Sequence, residues 1–318
     1  MKIIYLLTFI VSYSLFSQVQ EIARLSAFVA NSDFENSIMN FVSSLEQKKK
    51  KPYKQDSIVS SLNFQFPSRK DKAITGSEFV RRVMHMNAKE RDSVIYKEIA
   101  EGNIPEALKQ SIYLTDSLQD SEGKLHNVTL CVLPDFLAIG SDSDFIRIPM
   151  LPQTAQKLAN LFGAILPTRK ISNIIHCHSQ QKMAPHPMTP DSTMTSMPIF
   201  ARHDSIIEKT RNATGMHQRT LIAGHKKDIV ITNRIVGEPE RLFIYGWHYQ
   251  DGKPIQPLSA AHGINYVDYS HGVRLIRDEV WVDHKRYSLK ALLQDSILYS
   301  LFSDEAGPMK TTHYLPSF

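Results

Sequence analysis

The stretch that decides the fold class is RLFIYGWHYQDGK, residues 241–253. Arg241 to Tyr249 is an apolar run of strand length, and Asp251-Gly252 is typical of a type I′ hairpin turn, in which both central residues have a positive φ. Further strand-like runs occur at 228–232, 265–269, 273–276 and 280–282. We therefore predict five or six mostly antiparallel strands in the C-terminal part of the chain.

Helical spacing of apolar residues dominates elsewhere. Residues 288–302 form an amphipathic segment that we expect to be one closing helix on the sheet. Asn87 and Glu90 have the spacing of a capping box for a helix that runs to Ala100, and residues 204–214 predict another helix. The expected fold class is α+β, with a helical N-terminal half and a mostly antiparallel, β-rich C-terminal half.

The N-terminus has the pattern of a secretory signal peptide over residues 1–17. Lys2 precedes an apolar run, Ile3 to Phe16, that is shorter than a membrane span, and the small residue Ser17 follows it. We expect cleavage near Ser17/Gln18 and a secreted or periplasmic protein. No later apolar segment reaches about 18 residues, so we expect no stable membrane insertion.

Three regions follow this leader. We interpret residues 18–72 as N-terminal helices, near 21–46, and a linker. Residues 73–198 form a mixed α/β region, and residues 199–318 form the β-rich region that carries the candidate site. The Pro- and Met-rich segment 183–198 marks the expected boundary between the two halves.

Composition argues against a nucleic-acid partner. The net charge of +5 is modest for 318 residues, and the basic run Lys48 to Lys51 closes a predicted helix without interleaved aromatic residues. Cys131 and Cys177 are the two cysteines, too few for a disulfide scaffold. The sequence leaves open whether they pair, and it leaves the oligomeric state open as well.

Four of the 13 histidines, His225, His248, His262 and His271, lie between residues 224 and 274, each close to glycine, an aromatic residue or a charge. This pattern suggests a site built on the sheet. Asp268 can orient His271 if the chain turns at Ser270-His271-Gly272, and such a carboxylate–imidazole pair suits a general base.

We expect His225 to be the partner acid or second base of this pair. Arg274 and Lys226 are the expected anion-binding groups. The competing interpretation is that each histidine is a hydrogen-bonded structural residue near a turn.

Further polar residues are predicted to contact substrate. In the segment 140–147, Asp144 and its neighbours precede a helix, and the functional hypothesis is that Arg147 binds substrate with carboxylate support. A solvated turn or a local Asp–Arg pair is the alternative, and the glycine and glutamate of a full calcium loop are absent. The predicted substrate-binding residues are Asp142, Asp144, Arg147, Arg169, Lys226, Asp228, Trp247, His248 and Ser270.

Two tracts resemble the His-Gly and Ser-His-Gly-Cys-Ile-Arg signature of L,D-transpeptidase catalytic domains. They are Ala261-His262-Gly263 and Ser270-His271-Gly272-Val273-Arg274. That family is β-rich, secreted and acts on peptidoglycan peptides. Val273 stands where the family has its nucleophilic cysteine, so the resemblance implies a cell-wall substrate without that mechanism.

A longer set of motifs is similar to a group of uncharacterised secreted bacterial proteins, to which we attach no activity. The motifs are Gly102-Asn103-Ile104-Pro105, Gly140 to Pro149, Leu166-Pro167-Thr168-Arg169-Lys170, Ala223 to Asp228, Tyr245-Gly246-Trp247-His248 and Asp268 to Arg274.

Zinc is a further alternative. His271 and Asp278 have a spacing similar to ligands of zinc D,D-carboxypeptidase-like enzymes, and His284 follows. The later histidine element of those enzymes is not reproduced here, so we assign no metal ligand and leave the cofactor unknown. His176-Cys177-His178 is not assigned as a metal site either, because adjacent helical residues point in different directions.

The sequence therefore predicts a secreted hydrolase or related enzyme that acts on cell-wall peptidoglycan or polysaccharide through His and Asp acid–base chemistry. Two alternatives remain: a non-catalytic glycan- or peptide-binding protein, in which Trp247, Tyr245, Tyr266 and Tyr269 provide stacking surfaces, and a zinc-dependent peptidase. A cell-wall or glycan substrate is the expected partner in the first two cases.

Overall fold

The computed structural model describes residues 63–215 and 219–314. The expected signal peptide, the helices near 21–46 and the Lys48–Lys51 run lie outside these residues. The described chain combines helices with mostly antiparallel sheets, which confirms the predicted α+β class. No helix among these residues is long and apolar enough to cross a membrane.

The larger sheet has six strands and draws on both predicted halves. Strand β2 pairs with β1 and also with β12 and β13, so the sheet crosses the boundary expected near residue 198. Strands of the mixed 73–198 region and of the C-terminal part therefore share one sheet, in which β2 lies between the strands of residues 112–119 and 276–282. The six strands are β1 (Ile112–Gln119), β2 (Leu125–Val132), β5 (Ala164–Ile165), β12 (Ile276–Arg277), β13 (Glu279–Val282) and β14 (Lys285–Ser288).

The second sheet carries most of the predicted site. Its order is β10-β9-β8-β11, and β11 pairs with β8 in parallel through His271 and Lys227. Strands β9 and β10 form the predicted hairpin, but only Gly252 of its turn has a positive φ, so the turn is not type I′. The strands are β8 (Lys227–Ile229), β9 (Ile244–His248), β10 (Pro254–Ser259) and β11 (His271–Gly272).

Two short ribbons connect these sheets to the rest of the fold. Strands β3 (Ala138–Gly140) and β4 (Phe145–Arg147) are antiparallel, whereas β6 (Gln181–Lys182) and β7 (Ile222–Ala223) are parallel. The first ribbon places Arg147 in the interior.

Helix α2 shows the predicted capping box, because Asn87 and Glu90 each accept the backbone N–H of the other. Helix α5 begins seven residues before its predicted start, with Pro198 in its first turn. The prediction of one helix over 288–302 was wrong, because α6 ends at Gln294. The Asp295 side chain there accepts the backbone N–H groups of Ile297 and Leu298. The helices are α1 (Gly76–Val83), α2 (Ala88–Ala100), α3 (Pro152–Leu161), α4 (Arg169–His178), α5 (Met197–Ala213) and α6 (Leu289–Gln294).

Candidate functional site

The segment 265–269 is irregular, is not the predicted strand, and leads into a turn from Asp268 to His271. Asp268 Oδ1 accepts hydrogen bonds from the backbone N–H of Ser270 at 2.8 Å and from its hydroxyl at 2.6 Å. The His271 N–H then donates to the Asp268 carbonyl at 3.2 Å. Aspartate stabilises such turns by capturing the N–H two residues later, and this capture overrides the strand tendency of the neighbouring Tyr and Val residues.

This turn brings His271 beside Asp268. The Asp268 N–H lies 3.4 Å from His271 Nδ1, which therefore accepts, and the proton-bearing Nε2 lies 3.6 Å from Asp268 Oδ2. His271 is fully buried, and burial lowers its pKa to about 4, so the ring is neutral at neutral pH. Burial opposes the charge on Asp268, but the influence of His271 and the Ser270 hydrogen bonds outweigh it and keep the pKa of Asp268 below its usual value.

The outer side of the turn is half-buried and carries His262 and Tyr266. Their rings are stacked with centroids 4.0 Å apart, and the His262 and His271 centroids are 6.2 Å apart. The Tyr266 hydroxyl donates to Asp268 Oδ2 at 3.3 Å. We call His262, Tyr266, Asp268, Ser270 and His271 the Asp268 cluster; its two outer rings are the groups that a surface ligand can reach.

Two lysines lie next to this cluster on β8 and the residue before it. Lys226 is buried and its ammonium donates to the Tyr269 carbonyl at 2.6 Å, while burial lowers its pKa to about 8. Lys227 is half-buried, with its ammonium 4.7 Å from the ring centre of Trp247. The Lys226 ammonium is thus directed at a carbonyl in the interior, and its predicted binding of a substrate anion stays a prediction.

His225 belongs to a second cluster and does not join the Asp268 turn. Its Nε2 lies 3.0 Å from Asp135 Oδ1, and Arg147 donates to Asp135 Oδ2 at 2.6 Å. Arg147 also contacts Asp204 at 3.1 Å and Glu208 at 2.7 Å. We call these five residues the Asp135 cluster.

Charge and burial make the Asp135 cluster a structural unit. Burial lowers the pKa of His225 to about 4 despite the adjacent Asp135, and the charge of Arg147 helps to hold the pKa of Asp135 below its usual range against its own burial. The side chains of His225 and Arg147 are at most 1% exposed. His225 thus has Asp135 as its side-chain partner, and its predicted role as acid or second base beside His271 stays a prediction.

Sequence reasoning missed three members of this cluster. Asp135 follows Pro134 between two apolar runs, and an isolated carboxylate in such a setting is a signal for a buried charge partner. Asp204 and Glu208 have the spacing of one helix face on α5.

Arg274 is buried as well. Its guanidinium donates to the carbonyls of Leu133 at 2.8 Å and Ile222 at 2.7 Å and lies 4.5 Å from the centre of the Phe136 ring. Its donors are directed at backbone carbonyls and the residue is 1% exposed, and its predicted anion-binding role stays a prediction.

The predicted substrate residues Asp142, Asp144 and Arg169 lie apart from the Asp268 cluster. Asp142 accepts the Ala107 N–H at 2.9 Å, and Asp144 accepts the N–H and hydroxyl of Ser77 at the start of α1. Arg169 forms an ion pair of 2.7 Å with Asp304. The expected local support of Arg147 by Asp142 or Asp144 is thus replaced by support from Asp135, Asp204 and Glu208.

His248 and Asp228 lie on a different side of the small sheet. His248 Nε2 is 2.9 Å from Asn173 Oδ1, and its ring stacks on His176 with centroids 4.6 Å apart. His248 and His176 line a cavity of about 280 Å³.

Asp228 is buried with one oxygen unpaired, and burial raises its pKa to about 6. Trp247 is buried too, with its indole N–H donating to the His225 carbonyl at 3.1 Å.

The residues considered for zinc do not converge. Asp278 accepts the Ser288 hydroxyl at 3.2 Å and the Lys290 N–H at 2.9 Å, which places its carboxylate at the start of α6. His284 lies in the β13–β14 turn. Among residues 63–215 and 219–314, no group of three or more His, Cys, Asp or Glu side chains is placed to hold a metal ion. Cys131 and Cys177 are both free thiols, the first buried and the second exposed.

The chain matches no protein-family model, no curated protein and no solved structure.

Proposed function

We propose that the protein is a secreted hydrolase that acts on cell-wall peptidoglycan or polysaccharide at the Asp268 cluster. One observation carries this proposal: two half-buried, stacked rings, His262 and Tyr266, lie directly over a buried carboxylate–imidazole pair. The cell-wall substrate and the secretion are supported by the leader-like N-terminus and by the local transpeptidase resemblance.

The accessible ring takes the role of base in this proposal. His262 is half-buried and burial lowers its pKa, so it is unprotonated at neutral pH and suited to accept a proton from an attacking water. Burial raises the pKa of Tyr266 to about 12, so its hydroxyl stays a donor and can stabilise negative charge on the substrate oxygen. For this, the Tyr266 hydroxyl turns from Asp268 Oδ2 to the substrate oxygen, and protonated His262 returns its proton to the group that leaves when the substrate bond breaks. This assignment moves the base from His271 to His262, because His271 is fully buried; Asp268 and His271 become positioning residues.

A non-catalytic glycan- or peptide-binding protein is the second candidate. The observation that favours it is the stacked His262–Tyr266 pair itself, since half-buried aromatic rings at a surface also bind sugar faces. Of the four aromatic residues expected to stack on a ligand, Trp247, Tyr245 and Tyr269 are buried, so Tyr266 alone retains that role.

The experiment compares wild type, His262→Ala and His271→Ala with the control His85→Ala, an exposed histidine outside the cluster. Zinc content is measured first, and then the release of reducing ends and of new amino groups from peptidoglycan and a polysaccharide panel. We expect His262→Ala to lower the turnover about 100-fold, the usual scale for loss of a general base. Binding without turnover by the wild type would reject the hydrolase in favour of the binding protein, and stoichiometric zinc would favour the zinc peptidase.

A further inference from the structure

A long polar groove runs between helices α2 and α3. It has a volume of about 1070 Å³, and its walls carry Lys89, Tyr96, Gln153, Lys157 and Asn265. Lys89 and Tyr96 are seven residues apart and therefore lie on one face of α2, while Gln153 and Lys157 are four apart on α3. The volume suits several units of a polymer and exceeds the usual site for a single small molecule.

The floor of the groove carries a buried carboxylate and a buried amide oxygen. Asp92 is 4% exposed; its Oδ2 accepts the Leu151 N–H at 2.7 Å, which supplies the side-chain cap that α3 otherwise lacks, and its carboxylate also accepts a hydrogen bond from the Thr154 hydroxyl. Gln153 Oε1 is buried and has no hydrogen-bond partner among the described residues. Buried acceptors are almost always paired, so this oxygen is suited to a hydroxyl group that a ligand brings.

The rim of the groove is positively charged. Lys89 and Lys157 are exposed, one on each helix. Within the described ranges, neither ammonium group takes part in an ion pair. The floor therefore favours a ligand that donates hydroxyl hydrogen bonds, and the rim attracts negative charge. A sugar polymer with acidic substituents provides both.

One wall residue of the groove is next in sequence to a member of the Asp268 cluster. Asn265 forms part of its wall, and the next residue, Tyr266, donates its hydroxyl to Asp268. We propose that the groove binds an acidic polysaccharide, a sugar chain that carries carboxylate or sulfate groups, and presents it to the Asp268 cluster. The groove's binding role stands by itself, whereas the presentation of the chain for cleavage rests on the proposed hydrolase.

The test measures the affinity of the full chain for four probes by calorimetry: polygalacturonate, dextran sulfate, neutral dextran and soluble peptidoglycan fragments. The groove variant is Lys89→Met/Lys157→Met. The control is Lys97→Met/Lys285→Met, which removes the same charge from exposed lysines outside the groove. We expect the groove variant to bind the preferred acidic polysaccharide about tenfold more weakly, since two exposed charge contacts together contribute about that much, and the control to bind like wild type.

The first two probes distinguish carboxylate from sulfate as the acidic group. Equal affinity for neutral dextran, tighter binding of the peptidoglycan fragments, or an equal loss in the control variant would overturn the inference. Product release is followed in the same samples: binding without cleavage keeps the groove assignment and rejects the hydrolase, whereas cleavage of cell wall by a protein that does not bind acidic polysaccharides does the reverse.

Discussion

His225 Nε2 lies 3.0 Å from Oδ1 of Asp135, a residue 90 positions earlier in the chain. This contact makes His225 part of a buried network around Arg147. The network joins the ribbon β3–β4, helix α5 and the chain before β8. We therefore expect its loss to lower the free energy of unfolding.

Asp135→Asn tests this expectation. The change keeps the side-chain volume but removes the charge shared by Arg147 and His225, and we expect the free energy of unfolding to fall by about 2–4 kcal/mol because a buried guanidinium loses a partner. Denaturant unfolding measures it. The control is Asp116→Asn, which breaks a 2.9 Å contact with His178 between partly exposed side chains and is expected to cost under about 1 kcal/mol. Equal costs for the two variants would contradict the structural role of the network.

The buried histidines predict acid sensitivity. Burial lowers the pKa of His225, His248 and His271 to about 4 from 6.5, so the folded protein binds fewer protons than the unfolded chain in this interval. The free energy of unfolding therefore falls as the pH decreases from about 6.5 towards 4. Urea unfolding at a series of pH values measures this slope. The raised pKa values of Asp92 and Asp228 act with the opposite sign, but these are two groups against three. A stability that stays constant or rises over the interval would contradict the lowered pKa values of the three rings.

For His126 we expect the opposite pH dependence of the free energy of unfolding. Its Nε2 lies 2.9 Å from Asp120 and its Nδ1 lies 2.7 Å from Asp283, and the Asp120 contact raises its pKa above the usual value. A raised pKa stabilises the fold below the unfolded value of 6.5, and this contribution is lost as the pH rises through the folded value. We expect the stability difference between wild type and His126→Gln to be larger at about pH 5.5 than at about pH 8.5. An equal difference at both values would exclude the charged pair.

We expect the Gly272→Ala change to create a packing defect beneath the Asp268 turn. A Cβ atom at this position would lie 2.5 Å from a ring carbon of Phe136, which is 2% exposed and cannot move freely. We expect a loss of about 1–3 kcal/mol, typical of overpacking in a core. Gly307→Ala is the matched control, because nothing lies within 4 Å of its added Cβ. Thermal unfolding of both variants decides whether the close approach requires glycine.

Local signals predicted much of this fold. The capping box at Asn87 and the hairpin after β9 depend on contacts a few residues apart, and both are present. The predicted helix 288–302 is not continuous because one side chain, Asp295, accepts backbone N–H groups that periodicity alone assigns to a helix. Strand β1, which pairs along its whole length with β2, was not predicted.

The site was harder to predict because its partners are distant in sequence. Asp268 and His271 are three residues apart, and their proximity depends on one turn. The partner of His225, by contrast, is set by the contact of β7 with the chain after β2, where the Ile222 N–H donates to the Pro134 carbonyl at 3.0 Å, and no spacing rule contains that information. Only the tertiary fold separates the polar residues grouped along the chain into the Asp268 cluster, whose two outer rings are half-buried, and the buried Asp135 cluster.

Arg274 has a consequence for the order of folding. Its two hydrogen bonds reach carbonyls 141 and 52 residues away, at Leu133 and Ile222. The guanidinium is satisfied only when three distant segments have assembled, and contacts of such long sequence separation form slowly. The Asp268 turn, six residues before Arg274, is thereby expected to reach its final position late, after the larger sheet has formed around β2.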